Sequence, residues 1–75
     1  MSEQLKVFAT RLRALRKEHK LTQEELAHKI GCSPALISFY ETMLREPGLT
    51  NIIALCKVFG VSPDYLMGLT DKRGR

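Results

Sequence analysis

Apolar positions recur along this chain at the three-to-four residue spacing of a helix, and nowhere at the period-two alternation of a half-buried strand. Leu5, Phe8, Ala9, Leu12, Leu15 and His19 fall on one stripe, which predicts an amphipathic helix over residues 3–19. A wider pattern covers 49–59. There Leu49, Ile52, Ile53, Leu55, Cys56 and Phe59 make an arc that Ala54 and Val58 extend, so that helix is expected to have two neighbours. Two shorter apolar segments lie between these stretches and a third follows them. The expected architecture is all-α, with five short helices in one domain over residues 1–69 and then a polar tail, 70–75, expected to fray.

Local signals indicate where the helices start and stop. Thr22 can cap a helix, Glu25 three residues on can complete a capping box, and Leu21 and Leu26 can pack across the entry as a staple. Gly31 can take the left-handed conformation that ends this helix. Ser33-Pro34 starts another at once, because Ser is a favoured cap and Pro is tolerated at the first helical position. Two helices joined by so short a turn cross at a large angle, and the small Ala27 lets their backbones approach. Pro47 disfavours helix at Glu46, so a loop is expected over 42–48, with Gly48 capping the fourth helix and Gly60 ending it. Ser62-Pro63 starts a last short helix running through Met67, and Gly68 closes it.

One charge is out of place for a simple amphipathic helix. Arg16 falls within the apolar stripe of the first helix, where an unpaired guanidinium is costly. On a helical wheel of residues 34–41, Ile37, Tyr40 and Glu41 share the inward face, which makes Glu41 the expected partner. The expected role of Arg16 and Glu41 is a structural ion pair between two helices, with a phosphate contact by Arg16 as the alternative.

Gln23, Ala27, Gly31 and Ile37 form one spaced signature. Together with LRALRK at 12–17, Tyr40-Glu41, Arg45-Glu46-Pro47 and GVSPDYLMGLT at 60–70, it resembles the Xre-type helix-turn-helix family of phage lambda-type repressors and Cro proteins. The resemblance covers nearly the whole chain. It implies a lambda-repressor-like fold with a helix-turn-helix motif over about 22–41, and it implies the same Arg16–Glu41 pair. The function it implies is a sequence-specific transcriptional regulator of the repressor type, binding double-stranded DNA as a homodimer at a palindromic operator. The docking geometry is carried over from that family: the second motif helix enters the major groove, and two copies sit on half-sites about 34 Å apart.

On the same wheel Ala35, Ser38, Phe39 and Thr42 form the face opposite Ile37 and Tyr40, expected to enter the major groove, and by this resemblance Ser33, Pro34 and Ala35, with Ser38 and Phe39, lie nearest the bases. Members of the family commonly place Arg, Lys, Gln or Asn at some of these positions, where they make bidentate contacts to guanine or adenine; here methyl groups, one ring and hydroxyls stand instead. Ala35 and Phe39, with Leu36 beside them, suit thymine methyls, and a modest T-rich preference is expected. Thr22, Gln23, Arg45, Arg11 and Lys20 are the expected phosphate contacts, Gln23 and Arg45 foremost. Met43 and Leu44 replace the family's usual Gly and basic residue, which predicts that the third helix runs a little further. They also give a competing reading, a protein-interaction module of adaptor or antitoxin type using Leu36, Phe39, Met43 and Leu44. Val58, Tyr65, Met67 and Leu69 are the expected dimer contacts, unless Tyr65 and Met67 merely finish the core.

Composition narrows the alternatives. A chain of 75 residues has room for one core and buries roughly 60% of the surface its unfolded form exposes. It is 44% hydrophobic and 27% charged, and no apolar run approaches the ~20 residues of a membrane span. The first residues lack the apolar centre of a signal peptide, so a cytoplasmic protein is expected. The net charge of +4 permits a nucleic-acid partner without requiring one, and its placement says more than its total. Lys6, Arg11, Arg13, Arg16, Lys17 and Lys20 face only Glu3 and Glu18 within the first twenty residues, whereas 33–42 holds no Lys or Arg. Cys32 and Cys56 make no disulfide framework, and with His19 and His28 they lack the paired spacing of a zinc site. No metal, cofactor or small-molecule ligand is expected. No catalytic constellation or glycine-rich phosphate loop is evident either, so no enzyme is expected. An effector domain beyond Arg75 is compatible with the sequence.

Overall fold

Five helices in the computed structural model, which describes residues 2–74, follow the expected order: α1 Glu3–Glu18, α2 Gln23–Ile30, α3 Pro34–Glu41, α4 Leu49–Phe59 and α5 Pro63–Leu66. Hydroxyl side chains open four of them. Ser2, Thr22, Ser33 and Ser62 accept the N–H groups of Leu5, Glu25, Leu36 and Tyr65 at 3.0, 3.0, 3.2 and 3.1 Å. At α2 the capping box is complete, since the Glu25 carboxylate accepts the Thr22 N–H at 2.8 Å. Only α4 opens on a residue without a side-chain cap, Gly48.

The helices also end alike. Each is followed by one left-handed residue, Lys20, Gly31, Met43, Gly60 or Gly68. The next N–H then reaches back to the carbonyl five positions earlier: Leu21 to Arg16, Cys32 to Ala27, Leu44 to Phe39, Val61 to Cys56 and Leu69 to Asp64. Met43 corrects the expectation that α3 would run on. It takes φ 65° despite its side chain, and α3 stops at Glu41. The left-handed conformation costs a non-glycine residue roughly 1–2 kcal/mol. In return the Leu44 and Met43 N–H groups satisfy the Phe39 and Tyr40 carbonyls at 2.8 and 3.3 Å, and Met43 is half-buried against the body.

A single core joins all five helices through Phe8, Leu12 and Leu15 of α1, Leu26 and Ala27 of α2, Ile37 and Tyr40 of α3, Ile52, Leu55, Cys56 and Phe59 of α4, and Val61 and Leu66. Full burial of each large aliphatic side chain among them contributes about 1.5–3 kcal/mol. Ala27 is wholly buried where α2 and α3 pack, as their close crossing requires. Phe8 meets Tyr40 edge-on, 5.7 Å between ring centroids, and the Tyr40 hydroxyl accepts the Asn51 amide at 2.9 Å. His19 finishes its stripe with an edge contact on Phe59 at 5.0 Å.

The wide arc of α4 is only partly covered. The helix packs on α2 and α5, the two neighbours its width predicts, and Leu49, 76% exposed, and Ile53, 42% exposed, lie outside both contacts. The C-terminal segment departs from expectation. Described through Gly74, it is tied to the body and not frayed. Arg73 donates both terminal nitrogens to the Glu18 carboxylate at 2.8 and 2.9 Å, its carbonyl accepts the Ser62 N–H at 2.7 Å, and Arg11 donates to the Thr70 carbonyl at 2.6 Å.

Candidate nucleic-acid interface

The turn between α2 and α3 sets the geometry of the site. Gly31 at φ 75° reverses the chain, Cys32 hydrogen-bonds back to Ala27, and the Ser33 cap starts α3 at once. With Ile37 and Tyr40 buried, α3 turns its other side outward. Ser33, Pro34, Ala35 and Thr42 are exposed there, and Ser38 and Phe39 are half-buried beside them, so the six expected base contacts share one surface. Their hydrogen-bonding capacity is unequal. The Thr42 hydroxyl donates to the Ser38 carbonyl at 2.9 Å, which leaves it an acceptor only. Ser33 has a lone pair engaged by Leu36 and keeps its own hydrogen, while the Ser38 hydroxyl has no partner among the described residues. The Arg45 guanidinium stands 5.8 Å from the centroid of the Phe39 ring, which brings an expected phosphate contact next to an expected base contact.

Behind α3 the expected ion pair is present, and it holds more than two residues. Arg16 donates its Nε to one Glu41 oxygen at 2.6 Å and Nη2 to the other at 3.0 Å, while its Nη1 donates to the Leu21 carbonyl at 2.9 Å. The pair is nearly closed to solvent, with 12% of the Arg16 side chain and 4% of Glu41 exposed. Hydrogen bonding to Glu41, reinforced by its charge, outweighs burial and raises the Arg16 pKa above its ordinary value. Gln23 donates its amide to the same carboxylate at 3.1 Å. One acidic group therefore ties α1, the start of α2 and the end of α3. Nothing in the sequence distinguished this bond from a free surface glutamine.

Several expected contacts lie elsewhere or have other partners. Arg11 is committed to the C-terminal segment: it donates to the Tyr65 and Thr70 carbonyls, pairs with Asp71 at 2.9 Å and lies 4.1 Å over the Tyr65 ring. Lys20 is exposed at the left-handed end of α1, and Thr22 is exposed at the start of α2. Val58, Tyr65 and Met67 are half-buried against the core, while Leu69 is 63% exposed. Leu36 likewise packs against the core, so the apolar surface at this end consists of Leu44, 68% exposed, with half-buried Phe39 and Met43. Burial raises the Cys32 thiol pKa, which keeps it protonated and a poor nucleophile. Among the described residues no cluster of His, Cys, Asp and Glu could hold a metal ion, and no helix is long and apolar enough to cross a membrane.

Two helices fixed by a tight turn, the second presenting its outer side clear of the core, define a helix-turn-helix module. Residues 12–66 match the helix-turn-helix family, and the chain belongs to it, in its Xre-like branch. It is 45% identical over 65 residues to the uncharacterized HTH-type transcriptional regulator YobD of Bacillus subtilis (strain 168), spanning 87% of this chain and 58% of YobD. It is 39% identical over 61 residues to Repressor protein C2 of Salmonella phage P22, over 81% of this chain and 28% of C2. The chain thus spans about half the length of YobD and less of C2. Among solved structures, the P22 c2 repressor in complex with a synthetic operator superposes with a TM-score of 0.77 at 40% identity, over 80% of this chain and 91% of that one. The restriction-modification controller protein C.AhdI from Aeromonas hydrophila gives 0.76 at 34% identity, over 83% and 94%.

Proposed function

We propose that this chain binds double-stranded DNA as a homodimer and represses transcription from a palindromic operator, each copy laying α3 in the major groove. One observation carries the reading: the side of α3 left clear by the core belongs to a domain 40% identical to the P22 c2 repressor, whose structure was solved on a synthetic operator. Ser33, Pro34, Ala35, Ser38, Phe39 and Thr42 read the bases. Ala35 and Phe39 meet thymine methyls, Ser38 donates or accepts, and Thr42 accepts. Gln23, held by Glu41, grips a phosphate with the unpaired N–H groups that open α2, and Arg45, Thr22 and Lys20 supply further backbone contacts. Dimerisation uses Leu69 with the outer edges of Val58, Tyr65 and Met67, and the protein works in the cytoplasm. The relatives favour this reading over a protein partner on the Phe39 surface.

The test is selection from a random-sequence duplex library near physiological salt, followed by salt titration of the best binder with the wild-type chain and Phe39→Ala. An enriched palindrome with steep salt dependence and an altered preference in the variant is the expected result. No enrichment, or weak binding indifferent to salt, refutes it.

A further inference from the structure

The end of α3 meets α1 along a groove of about 380 Å³ lined by Ala9, Thr10, Arg13, Ala14 and Lys17 of α1 with Glu41 and Met43. Two small alanines lower one side of it. Arg13 and Lys17 stand four residues apart on α1, about 6 Å along its axis at 1.5 Å per residue. Both are exposed, and among the described residues neither has an ion-pair partner. The one acid in the groove does not compensate them, because Glu41 is already held by Arg16 and Gln23. Thr10 adds no donor, since its hydroxyl donates to the Lys6 carbonyl at 3.0 Å. The groove therefore presents two uncompensated positive charges.

Its position says what it meets. Glu41 and Met43, at its edge, flank Thr42 on the outward side of α3, and Glu41 also holds Gln23 at the start of α2. A duplex that received α3 in its major groove would carry a sugar-phosphate backbone past the Gln23 end of α2 and onward beside α1.

We propose that Arg13 and Lys17 form a second backbone-phosphate contact, extending the one at the start of α2 and independent of base sequence. The inference rests on the DNA-binding reading above. Each phosphate neutralised steepens the dependence of log affinity on log salt by about 0.9 on B-form DNA, so two contacts account for about 1.8. Between 50 and 200 mM salt, the wild-type chain should then lose about 12-fold more affinity than the double variant Arg13→Gln/Lys17→Gln.

The experiment measures binding to a duplex pool enriched on the wild-type chain and to unselected duplex of the same length. It compares wild type, the double variant and a control of equal charge change, Lys57→Gln/Lys72→Gln, at exposed sites off the groove. Circular dichroism checks that each is folded. The expected result is a shallower slope for the double variant alone, on both pools, with its preferred sequence unchanged. A wild-type slope in the double variant, or an equal loss in the control, overturns the groove contact while leaving the DNA-binding reading intact. A wild-type chain without salt-dependent duplex binding overturns both.

Discussion

Replacing Glu41 with leucine should destabilise this domain more than removing any exposed charge. The substitution deletes a carboxylate that accepts three hydrogen bonds, two from Arg16 and one from Gln23, and leaves Arg16 with the Leu21 carbonyl as its remaining acceptor. Because only 12% of the Arg16 side chain reaches solvent, water cannot replace what is lost. Breaking a pair this closed costs about 3–5 kcal/mol, most of it the penalty of a stranded charge. At 0.05–0.15 kcal/mol per residue the whole domain holds about 4–11 kcal/mol, so the single variant lies near the edge of folding. The partner substitution separates stranded charge from lost packing. Arg16→Met in the Glu41→Leu background replaces the ions with apolar groups of similar size, and such replacements are commonly neutral or stabilising. Urea titration of wild type, both single variants and the double should show the double recovering at least ~2 kcal/mol over Glu41→Leu. The wild-type contribution should persist at high salt, because a closed pair is little screened. A cost below ~1 kcal/mol for Glu41→Leu, the range of exposed pairs, refutes the reasoning, as does a double variant no more stable than the single.

Other expectations follow from the helix ends and the C-terminal pin. Lys20→Gly relieves a left-handed lysine, φ 58°, at an exposed site; it should stabilise by about 0.5–1 kcal/mol in urea titration, the relief exceeding the entropy glycine adds to the unfolded chain. Gly31→Ala should destabilise by about 1 kcal/mol through backbone conformation alone, since an added Cβ there meets nothing within 4 Å. Gly68→Ala should cost more in the same assay, because its Cβ would lie 2.9 Å from Val7 Cγ1 at φ 82°. The Arg73 hydrogen bonds, with its charge, hold the Glu18 carboxyl below the usual carboxylate range. A carboxyl lowered in the folded state favours it above its unfolded pKa, about 4.3, and loses that contribution as pH falls through the folded value. The pin should therefore hold at neutral pH and release only in acid, seen by NMR as a joint shift of the Glu18 carboxyl and Tyr65 ring resonances. A midpoint at or above about 4.3 refutes it.

Much of this was legible in the residues, for local reasons. A hydroxyl before a helix and a glycine after it act over three or four positions, so helix boundaries followed from sequence alone to within a residue or so. Arg16 was legible for another reason: a charge on an apolar stripe demands an acid, and the inward face of α3 offered only Glu41. What escaped depended on distant neighbours. No propensity makes Met43 left-handed; the bonds that close α3 and its packing against the body do so. The pin joins Glu18 to Arg73 across 55 positions, and neither residue signals the other. The width of the α4 arc pointed to two neighbours, which α2 and α5 supply, but it does not reveal which edge stays open, and Leu49 and Ile53 lie there. At the candidate interface, the outward side of α3 was readable from a helical wheel, but the double use of Glu41 by Arg16 and Gln23 depends on how α1, α2 and α3 meet in space.

The uniform ends of the helices bear on how fast the chain finds its structure. Each helix is bounded by a residue that stops it locally, and four of the five also begin on a hydroxyl cap within three positions of its acceptor. The unfolded ensemble is thus biased toward five segments of nearly correct length before any long-range contact forms. What remains is the docking of short cylinders, and domains dominated by such local contacts cross their folding barrier in microseconds to milliseconds. A molecule that opens transiently would close again on that timescale, leaving a protease little time to capture it.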